Sequence, residues 1–213
     1  MTAITRPGET LVRLRHRRAW IFDLDGTLTR AQHDFAAIRR ELGIPERASI
    51  LEALEAMPPD ESRRKRARLD VIEAELAAES RGAEGAADLL EFLHGEGVVL
   101  GVLTRNSKAN AHVSLGVTGL DHFFTDAWVL GRDEAPPKPH PGGIDHLLTT
   151  WARAPTDAVM VGDYVYDLDA GRNAGCMTVH VDALDRFDFG DRADLRTLGL
   201  GPLLELLSEH DGG

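Results

Sequence analysis

The segment 19–27, AWIFDLDGT, sets a pattern that recurs along the rest of the chain. The residues from Ala19 to Phe22 form a short apolar run, which stops abruptly at Asp23. Short apolar runs that end at polar or turn residues are typical of strands buried on both faces of a parallel sheet. The segment therefore predicts a buried strand with two carboxylates, Asp23 and Asp25, directly at its carboxyl end.

Four further runs have the same form, and stretches with helical spacing separate them. The runs cover residues 98–103, 127–130, 158–161 and 177–181. Residues 86–93 and 143–151 place their apolar side chains at the three- and four-residue intervals of an amphipathic helix. Strands that alternate with helices predict the α/β class, with a parallel sheet covered by helices on both faces.

The segment 31–81 breaks this alternation because it contains no convincing strand. Its spacing predicts a first helix closed by Gly43, a second stopped by Pro58-Pro59 and a third, long helix capped by Asp60. We therefore predict a small all-helical unit inserted after the first strand. The predicted division is an α/β core domain over 1–30 and 82–213, and a helical domain over 31–81.

Composition excludes several classes of protein. The chain has 213 residues, is 43% hydrophobic and 28% charged, and has a net charge of -11, which argues against a dedicated nucleic-acid binder. Its single cysteine excludes an intramolecular disulfide. No apolar run approaches the ~20 residues of a membrane helix, and the N-terminal segment has no apolar core like that of a signal peptide. We expect a cytoplasmic protein with no nucleic-acid or membrane partner.

Polar residues at the predicted strand ends indicate where a ligand binds, because open parallel sheets bind ligands at the carboxyl ends of their strands. Carboxylates ~4 Å apart repel by about 4 kcal/mol at an effective dielectric of 20, so a converging group needs a cation or protons. Oxygen ligands favour Mg²⁺, and a lysine beside Mg²⁺ suits an anionic substrate group. The residues at the strand ends are Asp23 and Asp25, Thr104 with Arg105 and Asn106, Lys138, and Asp163 with Asp167.

Four motifs occur in order along the chain: Phe22-Asp23-Leu24-Asp25-Gly26-Thr27-Leu28, Leu103-Thr104-Arg105-Asn106, Lys138-Pro139, and Gly162-Asp163 with Asp167 and Ala170-Gly171-Arg172-Asn173-Ala174-Gly175. Together they resemble the motifs of the haloacid dehalogenase-like hydrolase superfamily, and within it the phosphoglycolate phosphatase-like branch. The resemblance spans Trp20 to about Asp182 and implies a Rossmann-like core with a helical cap domain.

The resemblance also implies a role for each site residue. Asp23 would attack phosphorus to form an aspartyl-phosphate, and Asp25 would act as general acid and then general base. Mg²⁺ would be held by the Asp23 and Asp163 carboxylates and the Asp25 backbone carbonyl. Asp167 would orient metal-bound waters or pair with Lys138. The residues expected to bind the substrate phosphate are Thr104, Arg105, Asn106 and Lys138.

The predicted function is Mg²⁺-dependent hydrolysis of a small phosphorylated metabolite, such as phosphoglycolate or a sugar phosphate. A phosphomutase of the same fold would use the same aspartate pair, and a non-catalytic module would bind a phosphorylated ligand or a partner without turnover. A dehalogenase needs neither Asp25 nor Asp163, so both residues argue against it. The substrate, the oligomeric state and the role of residues 1–18 are left open by the sequence.

Overall fold

A six-stranded sheet with the spatial order β3-β2-β1-β4-β5-β6 forms the centre of the molecule. The computed structural model describes residues 7–32 and 34–209, so the predicted outer limits of the core domain, 1 and 213, lie outside it. Every pair of neighbouring strands is parallel, which confirms the predicted α/β class. The strands are β1 (Ala19–Phe22), β2 (Val99–Leu103), β3 (Val129–Leu130), β4 (Ala158–Gly162), β5 (Met177–Val181) and β6 (Leu195–Thr197).

Helices cover both faces of the sheet, because successive side chains of a strand point to opposite faces. Trp20 and Phe22 of β1 belong to one buried cluster, which also contains side chains of four helices on that face, α1, α5, α6 and α9. Ile21 belongs to a second cluster, on the face covered by α7 and α8. These helices are α1 (Pro7–Arg15), α5 (Ala86–Gly95), α6 (Lys108–Thr118), α7 (Gly142–Thr150), α8 (Val165–Ala174) and α9 (Leu200–Ser208).

The segment between β1 and α5 is helical and has an apolar cluster of its own. It contains α2 (Phe35–Leu42), α3 (Ile50–Glu55) and α4 (Pro59–Ala78). Ile38, Leu54 and Leu69 are buried against one another in this cluster. Within the described ranges no helix, including the long and highly charged α4, has the length and apolar character needed to cross a membrane.

The prediction that Asp60 caps the third inserted helix is wrong. The helix begins one residue earlier, at Pro59, and its N-cap residue is Pro58. Proline suits the first turn of a helix, because its fixed φ is helical and its missing N–H has no intrahelical partner there. Asp60 lies within that first turn and pairs with Arg63.

Two short linkers join the helical insert to the core, and they are hydrogen-bonded to each other. Thr29 and Gly82 form an antiparallel bridge. The backbone N–H of Arg30 donates to the Arg81 carbonyl at 2.8 Å, and that of Ala83 donates to the Leu28 carbonyl at 2.9 Å. The chain thus leaves the core and returns to it at one place, beside the carboxyl end of β1.

Apart from shifts of one residue at the ends of β2 and β4, the structure differs from the predicted strands in two places. Residues 126–128 form a 3₁₀ turn, so β3 is only two residues long and excludes Ala127 and Trp128. The edge strand β6 is not predicted from the sequence, because a three-residue strand with the polar Arg196 at its centre has no distinct apolar run.

Candidate active site

The turn after β1 places Asp23 and Asp25 at the carboxyl end of the central strands. The Asp23 backbone N–H donates to the Val161 carbonyl of β4 at 2.9 Å, and the Asp23 side chain is buried. Gly26 then adopts a φ of +96°, a conformation that L side chains rarely adopt. A Cβ built on Gly26 would lie 2.4 Å from Asp163 Oδ2, so glycine permits the close approach of this turn to Asp163.

Lys138 is buried between two carboxylates. Its ammonium Nζ lies 2.5 Å from Asp23 Oδ1 and 2.6 Å from Asp167 Oδ1. Burial acts to lower the pKa of Lys138, but Asp167 and Asp23 outweigh it and raise that pKa above its usual value. Lys138 is therefore a fixed cation beside the Asp23 carboxylate.

Asp167 belongs to this cluster and also to the start of α8. Its Oδ2 accepts a hydrogen bond from the Tyr164 backbone N–H at 3.0 Å, while its Oδ1 faces Lys138. A Cβ on Gly162 would lie 2.2 Å from Asp167 Cβ, so the end of β4 must be glycine for α8 to come this close. Both oxygens of Asp167 have partners, which fits a positioning role.

The carboxylates of Asp23, Asp163 and Asp167 have the arrangement of a cation site. One oxygen from each lies within 4.8 Å of the other two. Burial, and then the neighbouring Asp167, raise the pKa of Asp163 to about 7. Burial also raises the pKa of Asp23 well above its usual value, against the opposing effect of Lys138. One ammonium does not balance three carboxylates, so the donor set fits a divalent cation with a preference for oxygen ligands.

The residues after β2 take different positions. Thr104 is buried, and its Oγ1 accepts a hydrogen bond from the Asn106 backbone N–H at 3.0 Å. The Asn106 Oδ1 accepts from the Ser107 backbone N–H at 2.8 Å and from Asn110 Nδ2 at 3.0 Å, which directs that oxygen toward the start of α6. Ser107 is the N-cap residue of this helix.

Arg105 lies between the core and the helical insert. Its Nη1 donates to the Lys138 carbonyl, and its Nη2 lies 3.0 Å from both Ser49 Oγ and Glu52 Oε1. The guanidinium also stacks on the Tyr166 ring, 4.4 Å from its centroid. Arg105 therefore joins the loop of Lys138 to α3 and α8.

Sequence reasoning missed a second arginine that joins the core to the insert. Arg132 follows β3, and its guanidinium lies 2.7 Å from Glu73 Oε2 and 2.6 Å from Asp70 Oδ1, both on α4. Burial raises the pKa of Glu73 to about 7, although Arg132 opposes this shift. The strand-end argument that identifies Lys138 applies equally to Arg132, which comes two residues after the apolar run ends at Leu130.

Comparison with known proteins identifies the family. Residues 18–175 match the family model of haloacid dehalogenase-like hydrolases. The chain belongs to this family. A haloacid dehalogenase-like hydrolase domain-containing protein of Arabidopsis thaliana is 30% identical over 211 residues, which cover 91% of this chain and 84% of that protein. An uncharacterized hydrolase of Saccharomyces cerevisiae is 27% identical over 201 residues, which cover 91% of this chain and 92% of that protein.

A solved structure shows the same fold for this haloacid dehalogenase-like hydrolase. The crystal structure of a predicted phosphoglycolate phosphatase from Haemophilus somnus superimposes with a TM-score of 0.72 and 22% sequence identity. The superposition covers 90% of this chain and 98% of the other. The family and the fold class expected from the four sequence motifs are thereby confirmed.

Proposed function

We propose that this haloacid dehalogenase-like hydrolase is a Mg²⁺-dependent phosphatase that acts on a small phosphorylated metabolite through an aspartyl-phosphate on Asp23. The observation that supports this most directly is the contact at 2.5 Å between Asp23 Oδ1 and the buried Lys138 ammonium. The carboxylates of Asp163 and Asp167 lie beside that of Asp23. A cytoplasmic location, expected from the single cysteine and the lack of a long apolar run, belongs to the same proposal.

Asp23 is the proposed nucleophile, with Oδ2 as the attacking atom because Oδ1 faces Lys138. The Oδ2–phosphorus bond forms as the bond from phosphorus to the leaving oxygen breaks. The Lys138 ammonium neutralises charge on Asp23 and on the phosphoryl oxygens that approach it. The buried Thr104, at the end of β2, is the proposed hydroxyl partner of those oxygens.

Asp25 is the proposed general acid and general base. It first gives its proton to the leaving oxygen, and it then takes a proton from the water that attacks the aspartyl-phosphate. That attack breaks the bond from Asp23 to phosphorus, releases inorganic phosphate and restores the Asp23 carboxylate. Asp25 lies two residues after the nucleophile in the sequence. The conformation of Gly26 and the backbone hydrogen bonds of this short loop fix its position.

The residues proposed to hold Mg²⁺ are the Asp23 and Asp163 carboxylates and the Asp25 backbone carbonyl. When bound, the ion supplies the positive charge that lets neighbouring carboxylates stay ionised and shields the phosphoryl oxygens. Asp167 keeps Lys138 in place from the opposite side. This division of roles agrees with the two partners that the Asp167 oxygens already have.

Residues 31–81 are proposed to be a cap domain, which covers the substrate and excludes water while the core performs the chemistry. Two contacts support this role, Arg105 with Glu52 of α3 and Arg132 with Glu73 of α4. Each arginine follows a strand of the core, so both contacts lie at the carboxyl ends of the strands, where Asp23 also lies.

The test is phosphate release from a panel of phosphoglycolate, sugar phosphates and nucleoside monophosphates, with Mg²⁺ and with EDTA. We expect Mg²⁺-dependent release and a loss of more than about a thousandfold for Asp23→Asn, which removes the nucleophile. The matched control is Asp169→Asn, because Asp169, which lies on α8, pairs with Arg192 and is outside the site. This control is expected to retain turnover.

Turnover of Asp23→Asn within about tenfold of the wild type would exclude Asp23 as the nucleophile. Transfer of phosphate between two positions of a sugar, without release, would identify a phosphomutase instead. Saturable binding of the same compounds without any turnover in folded, Mg²⁺-loaded protein would identify a binding module.

A further inference from the structure

His180 of β5 lies beside Asp163, although none of the four sequence motifs includes it. In the parallel register of β4 and β5, His180 pairs with Gly162, the residue immediately before Asp163. Its side chain shares with Thr178 the face of the sheet that α8 covers, because side chains two residues apart on a strand point the same way. His180 is only 1% exposed, and a polar ring buried to this degree usually forms a hydrogen bond.

The imidazole of His180 donates a hydrogen bond to the backbone of Asp163. Its Nε2 lies 3.2 Å from the Asp163 carbonyl oxygen. A carbonyl oxygen only accepts, so Nε2 carries the proton of this bond. The other ring nitrogen, Nδ1, is buried and has no hydrogen-bond partner within residues 7–32 and 34–209. An Nδ1 without a proton fits that position, because it leaves no donor unsatisfied.

The peptide group that joins Asp163 to Tyr164 is bound at both of its polar atoms. Its carbonyl accepts from His180, and its N–H, which belongs to Tyr164, donates to Asp167 Oδ2 at 3.0 Å. The carbonyl and the side chain of Asp163 leave from neighbouring bonds of the same residue. A peptide plane held from two sides therefore limits where the Asp163 carboxylate can lie.

Aromatic rings fix the direction in which His180 points. The imidazole centroid lies 5.4 Å from that of the Phe187 ring and 6.0 Å from that of the Phe189 ring. Phe189 also contacts the Tyr164 ring, with the two centroids 5.1 Å apart. The loop that carries both phenylalanines is tied to the end of β5, since the Phe187 backbone N–H donates to Asp182 Oδ2 at 2.8 Å. The ring is thus held by packing with Nε2 toward Asp163.

We propose that His180 is a positioning residue for the Mg²⁺ site, and that it acts by holding the peptide group of Asp163 so that the Asp163 carboxylate faces the site. The inference rests on the proposed function, because Asp163 is a ligand only in that proposal. It extends the site to β5, which supplies none of the residues that the sequence motifs identify.

The experiment is calorimetric titration of Mg²⁺ into the full-length protein without substrate. His180→Phe keeps a planar ring beside Phe187 and Phe189 but removes the donor, and we expect the Kd for Mg²⁺ to rise roughly tenfold, as when the partner of a metal ligand is removed. At saturating Mg²⁺, kcat is expected to stay within about threefold of the wild type. His180→Gln retains an N–H donor, and its Kd is expected to stay within about threefold of the wild type.

Thr178→Val is the matched control, because Thr178 is a buried polar residue on the same strand and face. Its Oγ1 lies 3.1 Å from the Arg192 carbonyl oxygen and 3.2 Å from Asp194 Oδ2, so its hydrogen bonds do not involve Asp163. Valine keeps the shape and removes the hydroxyl. We expect lower stability in urea but a Kd for Mg²⁺ within about twofold of the wild type.

A measurement on the wild type needs no substitution, and it tests the hydrogen bond even if His180→Phe does not fold. In ¹⁵N NMR spectra of the histidine side chains, His180 is expected to carry its proton on Nε2. A neutral ring with the proton on Nδ1 would overturn the proposal, because Nε2 could not then donate to Asp163.

The calorimetric results separate this inference from the proposed metal site. If the wild type binds Mg²⁺, three results overturn the inference alone: a Kd for His180→Phe within about twofold of the wild type, an equal loss in Thr178→Val, or an equal loss in His180→Gln. Failure of the wild type itself to bind Mg²⁺ would overturn the metal site, and the role of His180 with it.

Discussion

Gly26 is the residue at which backbone conformation and the candidate site are most directly linked. Its φ is +96°, and an added Cβ would lie 2.4 Å from Asp163 Oδ2. We expect Gly26→Ala to lower the free energy of unfolding by about 1–3 kcal/mol, through strain and displacement of Asp163. Urea unfolding measures the change in stability. Displacement of the Asp163 carboxylate is expected to raise the Mg²⁺ concentration needed for phosphate release, which a Mg²⁺ titration measures.

Gly116→Ala is the control for this substitution. Gly116 lies in α6, and a Cβ there would meet no heavy atom within 4 Å. Alanine is the better helix former, so stability is expected to rise by up to about 1 kcal/mol. If Gly26→Ala matched the wild type in both stability and Mg²⁺ requirement, glycine would not be needed at this turn.

At the scale of single residues, strand ends were the useful signal in the sequence. Asp23, Lys138 and Asp167 follow different strands, and the structure brings them into direct contact. The side chain of Arg105 instead contacts Glu52, which lies 53 positions earlier in the chain. No local pattern encodes that contact, because it depends on how the helical insert packs against the core.

At the scale of helices, α4 packs on the core through a buried carboxylate. Burial raises the pKa of Glu73 from an ordinary 4.5 to about 7. The folded state therefore binds this proton more tightly than the unfolded state, and the contribution of Glu73 to stability falls as pH rises between these values. Relative to Glu73→Gln, the wild type is expected to lose up to about 3 kcal/mol across that interval.

Urea unfolding of both proteins between about pH 4.5 and pH 8 measures this difference. The same series in an Arg132→Gln background extends the test. Arg132 acts to lower the pKa of Glu73 in the folded state, so without it the loss is expected to extend to higher pH and to become larger. A stability difference that stays flat with pH, or that rises with pH, would contradict the assigned titration of Glu73.

The helices and strands were predictable where one local signal acts alone. Gly43 ends α2 with a φ of +61°, as expected for glycine after a helix. Asp60 was misplaced because two start signals compete in Pro58-Pro59-Asp60, and the prolines determine the start. The edge strand β6 depends on pairing with β5. A three-residue segment has no local pattern that predicts this pairing.

At the scale of the whole molecule, the proposed Mg²⁺ site at the acidic cluster is expected to make stability depend on Mg²⁺. Without Mg²⁺ at about pH 8, Asp163→Asn is expected to unfold at higher urea concentration than the wild type, because it removes a carboxylate from a group of like charges. With Mg²⁺ at about a hundred times its Kd, the wild type is expected to gain about 2.7 kcal/mol, and the variant much less.

The stability advantage of Asp163→Asn should therefore shrink when Mg²⁺ is added. Asp169→Asn, outside the cluster, should gain from Mg²⁺ as the wild type does. If Asp163→Asn gained as much as the wild type, Asp163 would not be a ligand. The same result would leave the nucleophile test on Asp23 intact, so the metal and the chemistry are tested separately.

The bridge between Thr29 and Gly82 has a consequence for how such a chain can change over time. Antiparallel partners hold their Cα atoms about 5 Å apart, a gap that a tight turn can span. The residues between them form an insertion into a core whose backbone is already joined at this bridge. Lengthening, shortening or exchanging that insertion leaves the strand order untouched, so residues 30–81 can be replaced as one contiguous stretch of gene while the sheet and the aspartates at its strand ends are inherited unchanged.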